Sequence, residues 1–343
     1  MAIGLGLVLA ACGGGGSDKA SSVKKPAKAT TTTTAPPPVA PLSGMPDPSG
    51  VAQTRPVLTV KVENTPISRP QAGLDAADIV WEEVVEGGIT RFAVMFQSIS
   101  TPTVGPIRSV RRTDQSIVWP VGGIFSFSGG AQYALDSIKT APVTLVDETR
   151  ADGAMFRDRS RRAPDNLFGH PDLLWAFGGT PVPPPPMFEY RAPKDVVTGE
   201  PVASFTVGFA GSYAVTYTWD AASGAWMRSM SGRPFNAASG ARVAPKNVVV
   251  EFVQYKYGGA GVPGAEGVLD GTGPLWVFTD GKVVKGSWNR PDKAKPAQLL
   301  DGAGAPIKLT PGQTWVELPD ASYTVTTVAP PAPAATSSTT KAP

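Results

Sequence analysis

The sequence predicts an α+β protein, with a mixed α/β amino-terminal domain over residues 46–180 and a mainly antiparallel β domain over residues 201–322. Three observations lead there. In the first half the apolar pattern switches between strand and helix spacing. In the second half nearly every apolar run is short and rich in β-branched or aromatic residues. Between them "GGTPVPPPPMFEY", residues 178–190, carries four consecutive prolines, which prevent a helix and resist a sheet. Residues 181–200 are therefore expected as a connector.

The elements follow in order. "RPVLTVKVEN" sets Val57, Thr59 and Lys61 opposite Leu58, Val60 and Val62, the alternation of a strand. "DIVWEEVVEGGITRFAVMF" holds two apolar runs around Gly87-Gly88, a hairpin signal. After the break at Gly105-Pro106, "RSVRRTDQSIVW" is expected to run as a helix from Arg108. "IFSFSGGAQYALDSIKT" reads as strand, glycine turn and helix. Beyond the prolines, "SFTVGF", "YAVTYTWD", "AWMRSM", "KNVVVEFVQY", "LWVFTDGKVVKGSW" and "TWVELP" read as short strands divided by turns such as Asp280-Gly281. Trp219, Trp226, Trp276, Trp288 and Trp315 are expected in the core or on sheet faces rather than as a carbohydrate platform.

Bulk properties exclude several function classes. A net charge of +3 over 343 residues is far from the excess of a nucleic-acid binder. Cys12 is the sole cysteine and His170 the sole histidine, so no intrachain disulfide forms and most zinc sites are ruled out. A Ser–His or Cys–His nucleophile would have one candidate base. No metal and no cofactor is expected.

At the amino terminus, Leu9-Ala10-Ala11-Cys12 has the form of a bacterial lipobox, in which cleavage leaves a cysteine that carries a diacylglyceryl group. Residues 1–12 are expected as the remnant of a signal. They lack the basic residue of a secretion signal, so the first residue is expected to lie inside a longer one. Residues 13–45, with "TTTTTAPPP", and the tail 323–343 are Thr, Pro, Ala, Ser and Gly tracts that cannot bury enough apolar surface to order themselves. Lys24, Lys25 and Lys28 in the spacer either touch anionic headgroups or stay solvated. The location implied is extracytoplasmic, anchored to the plasma membrane through Cys12.

The candidate site starts from "GPIRSVRRTD". On a helix, Arg108, Arg111 and Arg112 fall on one face. Guanidinium forks suit carboxylate or phosphate. A turn on Gly87-Gly88 would pair Val84 with Arg91, leaving Arg91 diagonal to Glu82 and Glu86. Glu83 would then be an odd charge on the core face. Gly129-Gly130 at an expected helix start offers backbone N–H groups to an anion. Asn166, in the basic stretch "FRDRSRRAPDNLFGH", is expected to tie a turn. Either these groups surround an anion, or Glu82, Glu86 and Asp114 neutralise the arginines in a buried ion network.

"TPISRPQAGLDAADIVWEEVVEGGITRFAVMF" and "VGPIRSVRRTD" resemble the DUF3048 family of YerB-like bacterial lipoproteins. "YTWD", "RSMSGRPF", "KNVVV", "GSWNR" and "GQTWV" are similar to that family's carboxy-terminal domain, so the likeness covers nearly all of 46–320. By position, Arg69, Pro70, Gln71, Glu82, Glu86, Gly87, Gly88, Thr90, Arg91, Gly105, Arg108, Ser109, Arg111 and Asn166 fit its pattern, and Glu83 does not. Where the family has Pro-His-Asn, this chain has Pro164-Asp165-Asn166. The resemblance implies an exported, membrane-anchored, two-domain protein and supplies no reaction.

Two functions are then expected to compete. One is a non-enzymatic binding or scaffold lipoprotein of the cell envelope. It would use Glu82, Glu86, Arg91, Arg108, Arg111, Arg112, Gly129, Gly130 and Asn166 to hold an anionic small molecule, an envelope polymer or a protein partner. The alternative is an envelope hydrolase acting on glycan or peptidoglycan with Glu82 and Glu86 as acid and base. Against it, residues i and i+4 of a strand lie roughly 13 Å apart, and Arg91 would hold both carboxylates ionised.

Overall fold

Strand β1 (Leu58–Glu63) is buried along its whole length, on both faces, and the fold is organised around it. The structure, a computed structural model, describes residues 15, 37–178, 183–210, 213–258 and 264–332; Cys12, the lysines of the spacer and the end of the tail lie outside them. β2 (Ile79–Val84) and β3 (Thr90–Phe96) lie beside β1 in the order β2–β3–β1 and are as deeply buried. A helix, α1 (Arg112–Val118), leads to β4 (Ile124–Ser126), and α2 (Gln132–Ile138) leads to β5 (Thr144–Val146). β4 runs parallel to β1, and β5 parallel to β4.

On the far side of β2 the sheet continues with strands from the second half of the sequence. Thr314–Leu318 pairs parallel with β2, Asn247–Glu251 parallel with Thr314–Leu318, and then Gly271–Thr279, Lys282–Arg290 and Gln298–Asp301 follow antiparallel. With Glu200–Pro201 at its side the sheet has eleven strands. A five-stranded antiparallel sheet, from Arg233–Pro234 through Ala225–Met230, Val215–Asp220 and Ser204–Val207 to Val325–Val328, packs against the large one. Phe205 stacks on Phe278 across the two sheets, and Phe92 meets Trp315 edge-on at 5.3 Å. Burying a ring such as Phe92 contributes about 1.5–3 kcal/mol. Trp226, Trp288 and Trp315 are core residues, while Trp219 and Trp276 pack against the core partly covered.

Several expectations need correction. The protein is mainly β: the described residues contain three α-helices, α1, α2 and Pro171–Trp175, each of seven residues or fewer. The expected α+β class and mixed α/β amino-terminal domain overstated the helix, because most of "GPIRSVRRTD" is extended. Its backbone is held by other segments of the same chain: Ile107 N–H donates to Leu167 O, Arg108 N–H to Lys61 O and Val110 N–H to Gly129 O. The helix therefore starts at Arg112, where the Asp114 carboxylate accepts from the Arg111 N–H at 2.6 Å. Strands of the carboxy-terminal half are mainly antiparallel, as expected, but Asn247–Glu251 runs parallel to Thr314–Leu318, and the large sheet runs through both halves of the sequence.

The expected spacer ends earlier than residue 45. Ala40 and Leu42 are buried, and the Tyr190 hydroxyl donates to Leu42 O. Likewise Val325–Val328 of the expected tail forms a strand on Ser204–Val207. In the connector, Met187, Phe188 and Val197 are buried. In each case a few apolar side chains in a polar stretch pack into or against the core.

The β2–β3 hairpin also differs from expectation by one residue. Val85 N–H bonds Ile89 O, leaving Glu86, Gly87 and Gly88 as the loop, with both glycines at positive φ. Glu83 then pairs with Arg91, and Glu82 with Phe92. A one-residue slip exchanges faces, so Glu83 and Arg91 lie on one side of the sheet and Glu82 on the other.

Candidate functional site

Three groups of charge are built on these strands. The first is on the Glu82 face. Arg228, from Ala225–Met230, donates to Glu82 Oε2 at 2.6 Å and to Glu317 Oε1 at 2.9 Å, and all three side chains are fully buried. Tyr217 hydroxyl donates to Glu317, and the guanidinium lies 4.3 Å from the Trp315 ring centroid and 4.8 Å from that of Phe235. Glu82 Oε1 also accepts from Asn64 and from Thr90. Burial, and then the field of Glu82, hold the Glu317 carboxyl well above the ordinary carboxylate range. Burial alone would lower Arg228, but Glu82, Tyr217 and Glu317 outweigh it and raise it. One cation thus serves two carboxyl groups, and burial together with the Glu82 charge favours the neutral form of Glu317.

The second group is on the opposite face, where Lys61 Nζ bonds Glu83 and, at 2.8 Å, Asp114 of α1. All of it is sealed from solvent. Burial first, then the Asp114 charge, push Glu83 up. Glu83 on β2 thus shares Lys61 with Asp114, and Lys61 ties α1 to the sheet.

The third group stands at the end of β1 and is the one that meets solvent. Glu63, fully buried, accepts at one oxygen, Oε2, from both Arg108 Nε (2.6 Å) and Arg91 Nε (3.2 Å). Its other oxygen accepts from the Asn64 N–H. Arg91 and Arg111 meet at Ser109 O, at 3.4 and 3.3 Å. Arg111 spends Nε and Nη2 on Glu86 Oε2, at 2.8 and 2.7 Å, and Nη1 on Val110 O as well. Burial would raise Glu86, but the bonds and charge of Arg111 outweigh it and hold its pKa below the ordinary value. Burial lowers Arg91, and the nearby Arg111 and Arg108 charges add to that against the field of Glu63.

Arg108 differs from its neighbours. Its Nε is fixed by Glu63, and neither Nη group meets a protein acceptor among the described residues. The side chain is 20% exposed. A carboxylate behind Nε thus aims a guanidinium whose two forward nitrogens remain uncommitted.

Of the residues the sequence singled out, Arg91, Arg108, Arg111 and Glu86 do come together. Glu82 does not: it lies across the sheet, on Arg228. Glu82 and Glu86 therefore do not bracket Arg91. Arg112 turns to Glu266, 3.1 Å away, and over the Tyr133 ring; with Tyr257 they border a cavity of about 110 Å³. Gly129 accepts from Val110 N–H, and a Cβ on Gly130 would come within 2.7 Å of Val110 Cγ1, so the pair allows close passage of the arginine segment. α2 begins only at Gln132. Asn166 Oδ1 accepts from Arg157 Nη1 at 2.8 Å, a link between side chains rather than the expected tie to the turn backbone.

Sequence reasoning missed Glu63 and Asn64 as parts of the site. The signal for Glu63 was present: Lys61 and Glu63 sit two apart on a strand whose other residues are apolar or Thr. Around Asn64, Arg69 donates from Nε to Asn64 Oδ1 and from Nη2 to Asn64 O, and Gln71 Nε2 donates to Glu63 O. "RPQ" thus braces the end of β1.

Residues 42–180 match the family model described as Protein of unknown function (DUF3048) N-terminal domain, and residues 205–316 its C-terminal domain. Over 136 residues the chain is 36% identical to "Putative lipoprotein YerB" of Bacillus subtilis strain 168, a match covering 39% of this chain and 41% of that relative's length. The fold is similar to the crystal structure of the YerB protein from Bacillus subtilis, with a TM-score of 0.73 and 24% identity, over 84% of this chain and 99% of that one.

Proposed function

The chain belongs to the DUF3048 family, and from that membership we propose that it is a membrane-anchored lipoprotein of the cell envelope that binds an oxyanion through Arg108. The likeness to a relative named as a lipoprotein supports the anchor, as does Cys12 at the end of its lipobox. Acylation of that cysteine would hold the body at the outer face of the plasma membrane, with residues 13–36 as the tether.

The observation that carries the binding function is the uncommitted fork of Arg108, fixed by the Glu63 carboxylate behind it. Arg91 and Arg108 share one carboxylate oxygen, so a single negative charge offsets two positive ones there. A carboxylate or phosphate in front of Arg108 would complete the pairing with short, charge-assisted hydrogen bonds. A non-enzymatic role fits better than hydrolysis. Glu82 has no solvent contact, and Glu86 is held ionised by Arg111, the wrong direction for a general acid. An envelope polymer, a small anion and an acidic protein partner all offer the group this site requires.

Arg108→Lys tests the proposal. Lysine keeps a positive charge near Glu63 but loses the fork. The variant is expected to fold with an unchanged melting temperature and to bind inorganic phosphate about tenfold more weakly in calorimetric titration, the loss of roughly one charged hydrogen bond. Equal phosphate affinity in the two proteins would remove Arg108 from the site.

A further inference from the structure

A cleft that Arg108 does not line opens beside the Glu86–Gly88 loop. Its other wall is a hairpin of Gln254–Tyr257 and Ala265–Val268, which stands outside the two larger sheets. The hairpin is braced: Tyr255 hydroxyl donates to Leu318 O at 2.9 Å and accepts from Val84 N–H at 3.0 Å, and Gly267 N–H donates to Thr113 Oγ1 at 2.9 Å. Between hairpin and loop lies a cavity of about 430 Å³, within the range of small-ligand pockets. It adjoins the cavity of about 110 Å³ bordered by Arg112 and Tyr133, and Tyr257, Gly258, Gly264 and Ala265 line both. A Cβ on Gly264 would stand 2.9 Å from the Tyr133 hydroxyl and 3.4 Å from Glu86 Oε1, so those two groups flank one spot on the cleft wall.

The charges of the cleft are paired, and each pair leaves an atom over. Arg111 takes Oε2 of Glu86, and Arg112 takes Oε2 of Glu266 through Nη1 alone. Oε1 of each glutamate lies outside those ion pairs. Lys256 stands opposite Glu266 in the hairpin register, and its Nζ has no acceptor among the described residues. Acceptors and a donor therefore sit side by side, with the tyrosine rings of Tyr133 and Tyr257 next to them, the second of these 60% exposed. The two glutamates nearly balance the three cations, so the cleft lacks the one-signed charge that captures a simple anion. It suits a ligand whose groups both donate and accept, which a hydroxyl does at a single atom. A pyranose carries neighbouring hydroxyls around its edge and C–H groups on its faces. A peptide separates its donors from its acceptors and has no such face for a ring. We infer that this cleft binds a neutral saccharide, with Tyr257 stacked on the sugar face and Glu266, Lys256 and Glu86 bonding its hydroxyls. The site does not use Arg108 and so does not rest on the oxyanion reading.

The test titrates maltotriose, mannotriose and triacetylchitotriose calorimetrically into the whole protein, with trialanine as the comparator. At least one trisaccharide is expected to bind, and trialanine is not. Tyr257→Ala, which removes the ring, and Glu266→Gln, which removes a charged acceptor, are each expected to weaken the sugar about tenfold. Both side chains are partly exposed, and thermal melts of the two variants check that the fold is kept. Arg108→Lys is expected to leave sugar binding unchanged. No binding of any of the three sugars, or trialanine bound as tightly, would overturn the saccharide class. A sugar that binds undiminished to both Tyr257→Ala and Glu266→Gln would overturn this cleft as its site.

Discussion

Replacing Arg228 with alanine is expected to destabilise the protein by about 3–5 kcal/mol, the cost of stripping the cation from a buried ion cluster. Glu82 and Glu317 would face each other without a counter-charge, in surroundings set by Trp315, Phe92, Tyr217 and Phe235. The cluster also joins residues from both halves of the sequence, since Glu82 comes from β2 and Arg228 and Glu317 from beyond residue 200. Denaturant unfolding monitored by tryptophan fluorescence measures the loss. Glu317→Gln is the matching control. Burial and the Glu82 charge already push the Glu317 carboxyl towards its neutral form, so an uncharged amide of the same shape leaves Arg228 and Glu82 paired, and the change is expected to stay within about 1 kcal/mol. Equal losses for the two variants would show that the cluster is not held together by Arg228 in the way described.

Stability is expected to fall as pH rises from about 4.5 to about 7. Glu251 ends the strand Asn247–Glu251, is 2% exposed, and leaves Oε1 without a partner. Burial, offset only in part by the field of Arg290, pushes its pKa from 4.5 to about 7. Arg290 spends its N–H groups on the carbonyls of Ser116, Lys293 and Lys295 instead. A carboxyl raised in the fold binds its proton more tightly folded than unfolded. Its contribution is therefore complete below the unfolded value, declines through the window, and is gone above about 7. A shift of that size is on the order of 3 kcal/mol. Glu83, also raised, acts in the same direction, whereas Glu86, depressed by Arg111, contributes above the ordinary glutamate value and is lost as the pH falls further. Wild-type protein is thus expected to melt higher at pH 5 than at pH 7.5. Glu251→Gln should flatten that slope, because the amide does not titrate. The same slope in both proteins would assign the pH dependence elsewhere.

Much of the strand pattern was legible in the sequence. "RPVLTVKVEN" read correctly because alternation and β-branched runs are local properties, whereas "KNVVVEFVQY" divides into Asn247–Glu251 in the large sheet and Gln254–Tyr257 in a separate two-stranded one. The burial of β1 was not legible. Lys61 and Glu63 look like a solvated face, yet both are covered, one by Asp114 and Glu83, the other by two arginines. The meaning of a charge on a strand depends on what packs over it, and α1 and the 105–112 segment arrive from elsewhere. The hairpin shows a second limit. Gly87-Gly88 marks a turn, but a glycine pair fits a two- or a three-residue loop, and that one residue decided which glutamate faced Arg91. Helical spacing of Arg108, Arg111 and Arg112 also misled, since backbone bonds from Lys61, Leu167 and Gly129 keep 107–110 extended. The convergence of Arg91, Arg108 and Arg111 was expected for the wrong geometric reason: the residues were right, but it is Glu63 that gathers two of them.

The most direct measurement is a crystal of the protein soaked in selenate, a tetrahedral oxyanion that can be located by its anomalous scattering. The expected result is a selenate whose oxygens lie about 3 Å from the Arg108 Nη atoms, with Glu63 unmoved behind the guanidinium. Selenate bound only at scattered surface lysines, with Arg108 facing solvent alone, would contradict the account.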